Sequence, residues 1–484
     1  MPNLKPKSSL STLLRNIHAR KQRKRSPFSG DWTMDAADLP PEIWILVLRF
    51  ATLSNPNPVD TTHTVSFLDP PHSFQLRLAA YHASMRQKQR LALVCRQWHT
   101  WTCEFMYEYV WISRSQHAAK LARTLSSSSL HGQWIRRVHV ESQSAFDKCN
   151  PADLRTILDH APSLEIYNDH RSIRLSLMSI NKPSVKDDEE KKCKPDDLFN
   201  FLPNKLRKLS WTTYECMPSF AVLEHLTFLE LHFHVPVDAM NARPALPNQP
   251  LSLPHLQSLQ TSLNAKDFSL LASWDLPALR NLSLQSTDIS CSSPSFTDFF
   301  VAHGNNIIQL ELGHSSSSIL DQHYITPVAG GSARPIDLAA LLPNLLEFIC
   351  SANAEWNWEN PDWLAPHELL PAHPTVRLIG IRGIVLGDEG DRHSQFVLLE
   401  QMRGLLRPEA FPSLRYVRDM GCGLYESAHR AHQRKSSDLW MADAETIRFW
   451  KTVWKGCHAR GVYLEDWEGV NVTANDWRRL GFEV

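Results

Sequence analysis

The sequence predicts an α/β chain in which a helical N-terminal module precedes an irregular solenoid of helix–strand units. Three observations predict it. Two apolar blocks near residues 38–51 and 90–101 carry helix spacing and helix-start signals. A Leu-x-x-Leu-x-Leu phrase recurs between residues 206 and 419, and the end of each copy alternates as a strand does. A further helix–strand pair follows near 444–466.

Residues 1–35 read as a disordered basic arm. Lys5, Lys7, Arg15, Arg20, Lys21, Arg23, Lys24 and Arg25 precede the first acid, Asp31. Three roles stand open for it. The run from Arg20 to Arg25 fits a nuclear localisation patch. Leu10, Leu13, Leu14 and Ile17 share one helix face, as in a mitochondrial presequence. The third role is a solvated tail with no address.

The first apolar block runs from Asp38 to Ala51. Prolines 40 and 41 sit at its start, where a missing N–H costs little, and Glu42 faces the positive helix end. The rest is apolar almost all round, broken only by Arg49. A surface helix needs one apolar stripe, so this one is expected to be covered both by its own fold and by something else. The second block, Arg90 to Trp101, places Leu91, Val94, Cys95 and Trp98 on one helical face, and Val110-Trp111 closes it. Between the blocks lie about 35 residues, 52–87, a length that loop-closure entropy tolerates. They hold Pro56, Pro58, Pro70 and Pro71, with Phe74 to Met85 as the candidate middle helix.

On these residues the chain resembles the F-box, a helical module that docks substrate receptors onto the Skp-type adaptor of cullin–RING ubiquitin ligases. The pattern Leu-Pro-x-Glu-Ile, a hydrophobic helix, Leu-x-x-Val-Cys-Arg-x-Trp and a closing aromatic is met by Leu39, Pro40, Glu42, Ile43, Leu46, Leu91, Val94, Cys95, Arg96, Trp98 and Trp111. The resemblance implies an F-box-like domain over 36–115. All of these residues except Arg96 are its expected adaptor-binding set. The long insertion departs from the family, where the link is short.

From about residue 130 to 484 a solenoid with a C-terminal cap is expected. Trp134 to Val140 and Leu164 to Tyr167 read as its first strands. The charged run Lys186 to Lys194 reads as a solvated loop. Clear copies of the phrase begin at Leu206, Leu226, Leu256, Leu279 and Ile307, and weaker ones at Leu345, Val376 and Leu414. Copies lie about 20 to nearly 40 residues apart. The region resembles leucine-rich repeats, which implies a horseshoe-like fold whose outward strand positions bind a partner. Those positions include Phe228, Glu230, His232, Glu311, Arg382, Tyr416 and Arg418, the candidate substrate-binding residues. Ala444 to His458 reads as a helix with Ile447, Trp450, Val453 and Trp454 on one face. Gly461 lies past its end, and a strand to Asp466 follows.

The sequence excludes several functions. Lys plus Arg and Asp plus Glu both number 51, so no nucleic-acid partner is expected. No apolar run is long enough for a membrane helix, and no apolar leader core is seen. Nine scattered cysteines, none in a C-x-x-C pair, read as reduced thiols of a cytoplasmic or nuclear protein. No phosphate-binding loop, nucleophile elbow or metal-ligand spacing appears. His429 and His432 read as a surface pair, and Asp388 to Asp391 lacks a calcium-loop spacing. Trp356, Trp358 and Trp363 sit in an expected loop, packed on the solenoid or exposed as a binding patch. The expectation is therefore no enzyme, no cofactor and no metal. Instead, the chain is expected to be the substrate-recognition subunit of an SCF-type ligase. It would meet a Skp-type adaptor, through that adaptor the cullin–RING core, and a protein substrate. The alternative is a leucine-rich-repeat scaffold whose F-box-like helices only cap the solenoid.

Overall fold

The structure is a computed structural model. It describes residues 40–52, 57–69, 74–128, 130–142, 144, 147–170, 172–173, 193–213, 218–233, 251–261, 270–285, 294–313, 338–351, 372–382, 399, 402–420 and 440–479. Leu39, the basic arm, the tryptophans at 356–363, His429, His432 and Asp388–Asp391 lie outside the described residues. The chain divides into two units, Met1–Thr52 and Leu53–Val484.

The first unit contains helix α1, Pro41–Thr52. Pro41 opens it, Glu42 lies in the first turn and Arg49 in the last, all favourable to the helix dipole. The Thr52 hydroxyl donates back to the Leu48 carbonyl at 2.9 Å, as threonine does at a helix end. Ile43, Leu46, Val47 and Phe50 are exposed, Phe50 at 74%.

The second unit begins with helices α2, Phe74–Ala92, and α3, Arg96–Glu108. The Cys95 sulfur caps α3 by accepting the Trp98 N–H at 3.4 Å. Buried Lys88 ties the two helices by donating from Nζ to the Phe105 carbonyl at 2.8 Å, and burial lowers its pKa. The expected middle helix therefore exists, and runs past Met85 to Ala92.

A sheet of twelve parallel strands follows, in chain order. β1 is Tyr109–Ile112, β2 Arg137–Val140, β3 Ile166–Asp169 and β4 Lys208–Thr213. β5 is Phe228–Phe233, β6 Ser258–Thr261, β7 Asn281–Gln285 and β8 Gln309–Gly313. β9 is Glu347–Ser351, β10 Leu378–Arg382, β11 Tyr416–Asp419 and β12 Tyr463–Glu465. Each expected repeat supplies one strand. The sheet also begins earlier than expected, at Tyr109, inside the segment assigned to the helical module. Parallel neighbours need crossovers, and these run over one face. They include α4 (Ser115–Ser127), α5 (Pro151–Asp159), α6 (Pro294–His303), α7 (Leu338–Leu341) and α8 (Trp440–Arg460), with α9 (Ala474–Arg479) after β12.

Leu209, Leu229, Leu259, Leu282 and Leu310, the middle leucines of the phrase, are fully buried against that helical face. Each contributes about 1.5–3 kcal/mol of burial. The residue before each strand also locks the stack. Thr227 N–H donates to the Arg207 carbonyl at 2.8 Å, Gln257 to Thr227 at 2.9 Å, and Arg280 to Gln257 at 2.9 Å. α8 ends as expected at Gly461, whose φ of 75° suits the left-handed cap position.

Candidate protein-interaction surfaces

The alternating positions of the strands form rows on the opposite, open face. One row joins Phe228, Ser258, Asn281, Gln309, Glu347, Leu378, Tyr416 and Tyr463 in register. The next joins His139, Asn168, Ser210, Glu230, Gln260, Ser283 and Glu311, and continues through Ile349 and Gly380 to Arg418. His232 and Arg382 lie two residues further along their strands. The expected substrate-binding residues thus share one face.

That face is occupied by the chain itself. Residues 57–69, from the insertion between the two apolar blocks, lie across it as a strap. Arg137 Nη1 on β2 donates to the Pro58 carbonyl at 2.6 Å. Lys208 Nζ on β4 donates to the Asp60 and His63 carbonyls at 2.9 and 3.3 Å. Ser258 Oγ on β6 and Asn281 Nδ2 on β7 both donate to the Val65 carbonyl, at 2.7 and 2.8 Å. Gln309 on β8 accepts the Phe67 N–H at 2.7 Å and donates to Ser66 Oγ at 2.9 Å. Arg382 on β10 donates to the Phe67 carbonyl and to Glu311. The strap turns at 58–59 and 67–68, with the Asp60 and Asp69 N–H groups donating back to the Asn57 and Ser66 carbonyls, and the long Arg137, Lys208 and Arg382 side chains reach to it from their strands.

Phe67 and Leu68 are buried, 5% and 8% exposed, in a cluster with Phe228, Ile349, Leu378 and Met420, against which Val65 and Tyr416 pack. This cluster is separate from the core beneath the helices. It corrects the expectation of a free polar surface: Phe228 is 8% and Glu311 2% exposed, one in the strap's cluster and the other paired with Arg382. Arg418 is tied to Glu465 at 2.7 Å, and Tyr416 stacks on Tyr463 with centroids 5.9 Å apart. The adjacent apolar pair Phe67-Leu68 was the local sequence signal for an anchored segment; the four prolines around it masked that signal.

Near β2–β5 the open face gathers histidines and acids. His139 Nε2 pairs with Glu141 at 2.7 Å, and His232 Nε2 with Glu230 at 2.9 Å. Asn168 donates to Ser210, which donates to Glu230. Burial alone would raise the Glu230 carboxyl, but bonds from His232 and Ser210 outweigh it and bring it to about 2. Burial lowers His170 to about 4, holds His139 well below its ordinary range, and raises Asp169 to about 7. His139, Glu141 and His170 form one trio whose ligand atoms lie within 4.8 Å of one another, and His170, Glu230 and His232 form a second. Either trio has donor types suited to a divalent transition metal. The sequence hid them because they come from three separated strands.

The expected adaptor-binding residues divide. Pro40, Glu42, Ile43 and Leu46 are exposed on α1 or at its start. In the turn between α2 and α3, Leu93 is 84% and Val94 60% exposed, Cys95 is exposed and Trp98 half-buried. Leu91 and Trp111 are a correction, being 7% and 6% exposed. Trp111 lies on the open face at β1, where α2 covers it. Phe74 meets it edge-on at 5.7 Å, and Arg77 sits 5.6 Å above its ring. Such side chains hold the module together and offer no apolar area to a partner.

These features define a class, an α/β solenoid with a single in-order parallel sheet and a helical N-terminal region. No protein-family model matches the chain, and no curated protein matches it. Two solved structures are similar at a low level. A yeast Rad7–Elc1 complex aligns at 14% identity and TM-score 0.31, over 86% of this chain and 94% of that one. A Bacteroides fragilis protein aligns at 12% identity and TM-score 0.27, over 72% and 78%. Neither likeness is close enough to carry an argument. Among the described residues, no helix is long and apolar enough to cross a membrane.

Proposed function

We propose that this chain is a substrate receptor of an SCF-type ubiquitin ligase, joined to a Skp-type adaptor, and through it to the cullin–RING core, by its F-box-like segments. The observation that carries this reading is the exposure of Leu93, Val94 and Cys95 beside Trp98, within the Leu-x-x-Val-Cys-Arg-x-Trp phrase. Contiguous exposed apolar side chains are uncommon on a monomer and mark partner sites. Exposed Ile43, Leu46, Val47 and Phe50 on α1 offer a second apolar stretch. In this reading the solenoid presents a protein target in the cytoplasm or nucleus, and the chain does no covalent chemistry of its own.

The second reading is the leucine-rich scaffold, favoured by the burial of Trp111 beneath α2, where that helix covers the first strand. A pull-down with purified Skp-type adaptor separates the two. Full-length protein should retain the adaptor, and a Leu46→Asp, Val94→Asp variant should lose it while keeping its cooperative melt. A folded wild-type chain that retains no adaptor leaves the scaffold reading.

A further inference from the structure

We propose that the open face beneath the strap is a binding groove for a linear segment of a partner protein, one that carries an aromatic–aliphatic pair, and that residues 58–68 fill this groove in cis as a stand-in for that partner. The inference deepens the receptor reading above and rests on it for the identity of the partner as a ubiquitination target.

The first support is what the face recognises. Arg137, Lys208, Ser258, Asn281, Gln309 and Arg382 all bond main-chain atoms of the strap. Main-chain recognition does not depend on the strap's own side chains, so another linear segment that follows the same path can satisfy the same donors and acceptors. Specificity enters at one end, where Phe67 and Leu68 enter the apolar cluster beside Ile349, Leu378 and Met420. Gln309 adds a preference for a small hydroxyl residue just before the aromatic, through its bond to Ser66 Oγ. The ligand class is therefore a linear peptide of the form apolar–small polar–aromatic–aliphatic.

The second support is how the strap is held. Its apolar anchors belong to a cluster distinct from the main core, so its release leaves the helical-face core closed. Its outer side is already wet, with Thr62, His63 and Thr64 exposed. The strap continues into the chain at both ends, and such tethering gives an effective concentration on the order of millimolar. A partner then binds with its intrinsic affinity reduced by the fraction of molecules whose groove is open. The strap thus sets a threshold that rejects weak or sparse ligands.

The test uses the full-length chain and a fluorescent peptide of residues 57–69, followed by anisotropy. Wild type should bind it weakly. A Phe67→Ser, Leu68→Ser chain, with its own strap loosened, should bind at least tenfold more tightly. Adding Gln309→Ala and Arg382→Ala to that chain should abolish the gain. A loosened chain that melts cooperatively yet binds no more tightly than wild type overturns the proposal. Should the loosened chain not fold, hydrogen exchange of the wild-type strap decides. Exchange at 57–69 well ahead of the β-strands supports a displaceable strap, and exchange only with global unfolding refutes it. Adaptor retention by the same variants, read in parallel, reports on the ligase reading separately.

Discussion

The backbone N–H of Phe67 donates to Gln309 Oε1 over 2.7 Å, across 242 positions of sequence. The two residues join the insertion between the N-terminal apolar blocks to the eighth strand of the sheet. Gln309 also donates to Ser66 and to Glu347, so both ends of its amide are committed. Replacing it with alanine leaves the buried Phe67 amide without its acceptor, at a cost of about 1–3 kcal/mol. That cost falls on the strap. Limited proteolysis of Gln309→Ala should cut within 57–69 at least several-fold faster than in wild type, with the solenoid fragment unchanged. Equal cutting rates would mean that this bond does not hold the strap.

Acid should weaken the fold through Glu165. Burial works to raise its carboxyl, but Arg136, donating from Nε and Nη2 at 3.0 and 3.1 Å, outweighs this and leaves it below its ordinary value of 4.5. A depressed carboxylate adds stability above its unfolded pKa, and that stability is lost as pH falls through the folded value. Both side chains are partly exposed, so the gain is about 1 kcal/mol or less. Glu165→Gln should lower the thermal midpoint at neutral pH, and the gap to wild type should close as pH falls through the lowered folded value. A gap that widens in acid would contradict the sign.

Gly304 sits where a Cβ would lie 2.1 Å from the Leu341 carbonyl oxygen of the next repeat. Backbone cannot yield as a flexible side chain does, so Gly304→Ala should destabilise the chain by about 1–3 kcal/mol in urea unfolding. A neutral substitution would mean that the repeats are spaced more loosely there.

Thiol chemistry should follow burial. Cys350 and Cys457 are buried and pushed up to about 12, so both stay protonated and enclosed in the native chain. Cys95 is exposed at the start of α3. Alkylation of the native protein with peptide mapping should label Cys95 first and spare the other two. Early labelling of Cys457 would place α8 away from β12.

The strands were legible because every Leu-x-x-Leu-x-Leu copy pairs two periodicities, and a buried leucine on one face forces its neighbours onto the other. Trp134 to Val140 and Leu164 to Tyr167 carried the same alternation and became β2 and β3. Gly461 was legible as a helix end because few other residues accept that φ. Two things were not legible. Leu91 and Trp111 fit a motif, but the burial of Trp111 depends on α2 lying over β1, and no local pattern states that either is buried. The strap is read as a loop because prolines surround it, and its partners lie up to 315 positions away. Long-range hydrogen bonds of that kind leave no periodic mark on a sequence.

The most direct test of the receptor account is hydrogen–deuterium exchange of the full-length chain with and without purified Skp-type adaptor. The account predicts slowed exchange in residues 41–52 and 93–98, with the strap at 57–69 and the open-face strands unchanged. No change at 93–98 under saturating adaptor, or protection confined to the open face, would contradict it.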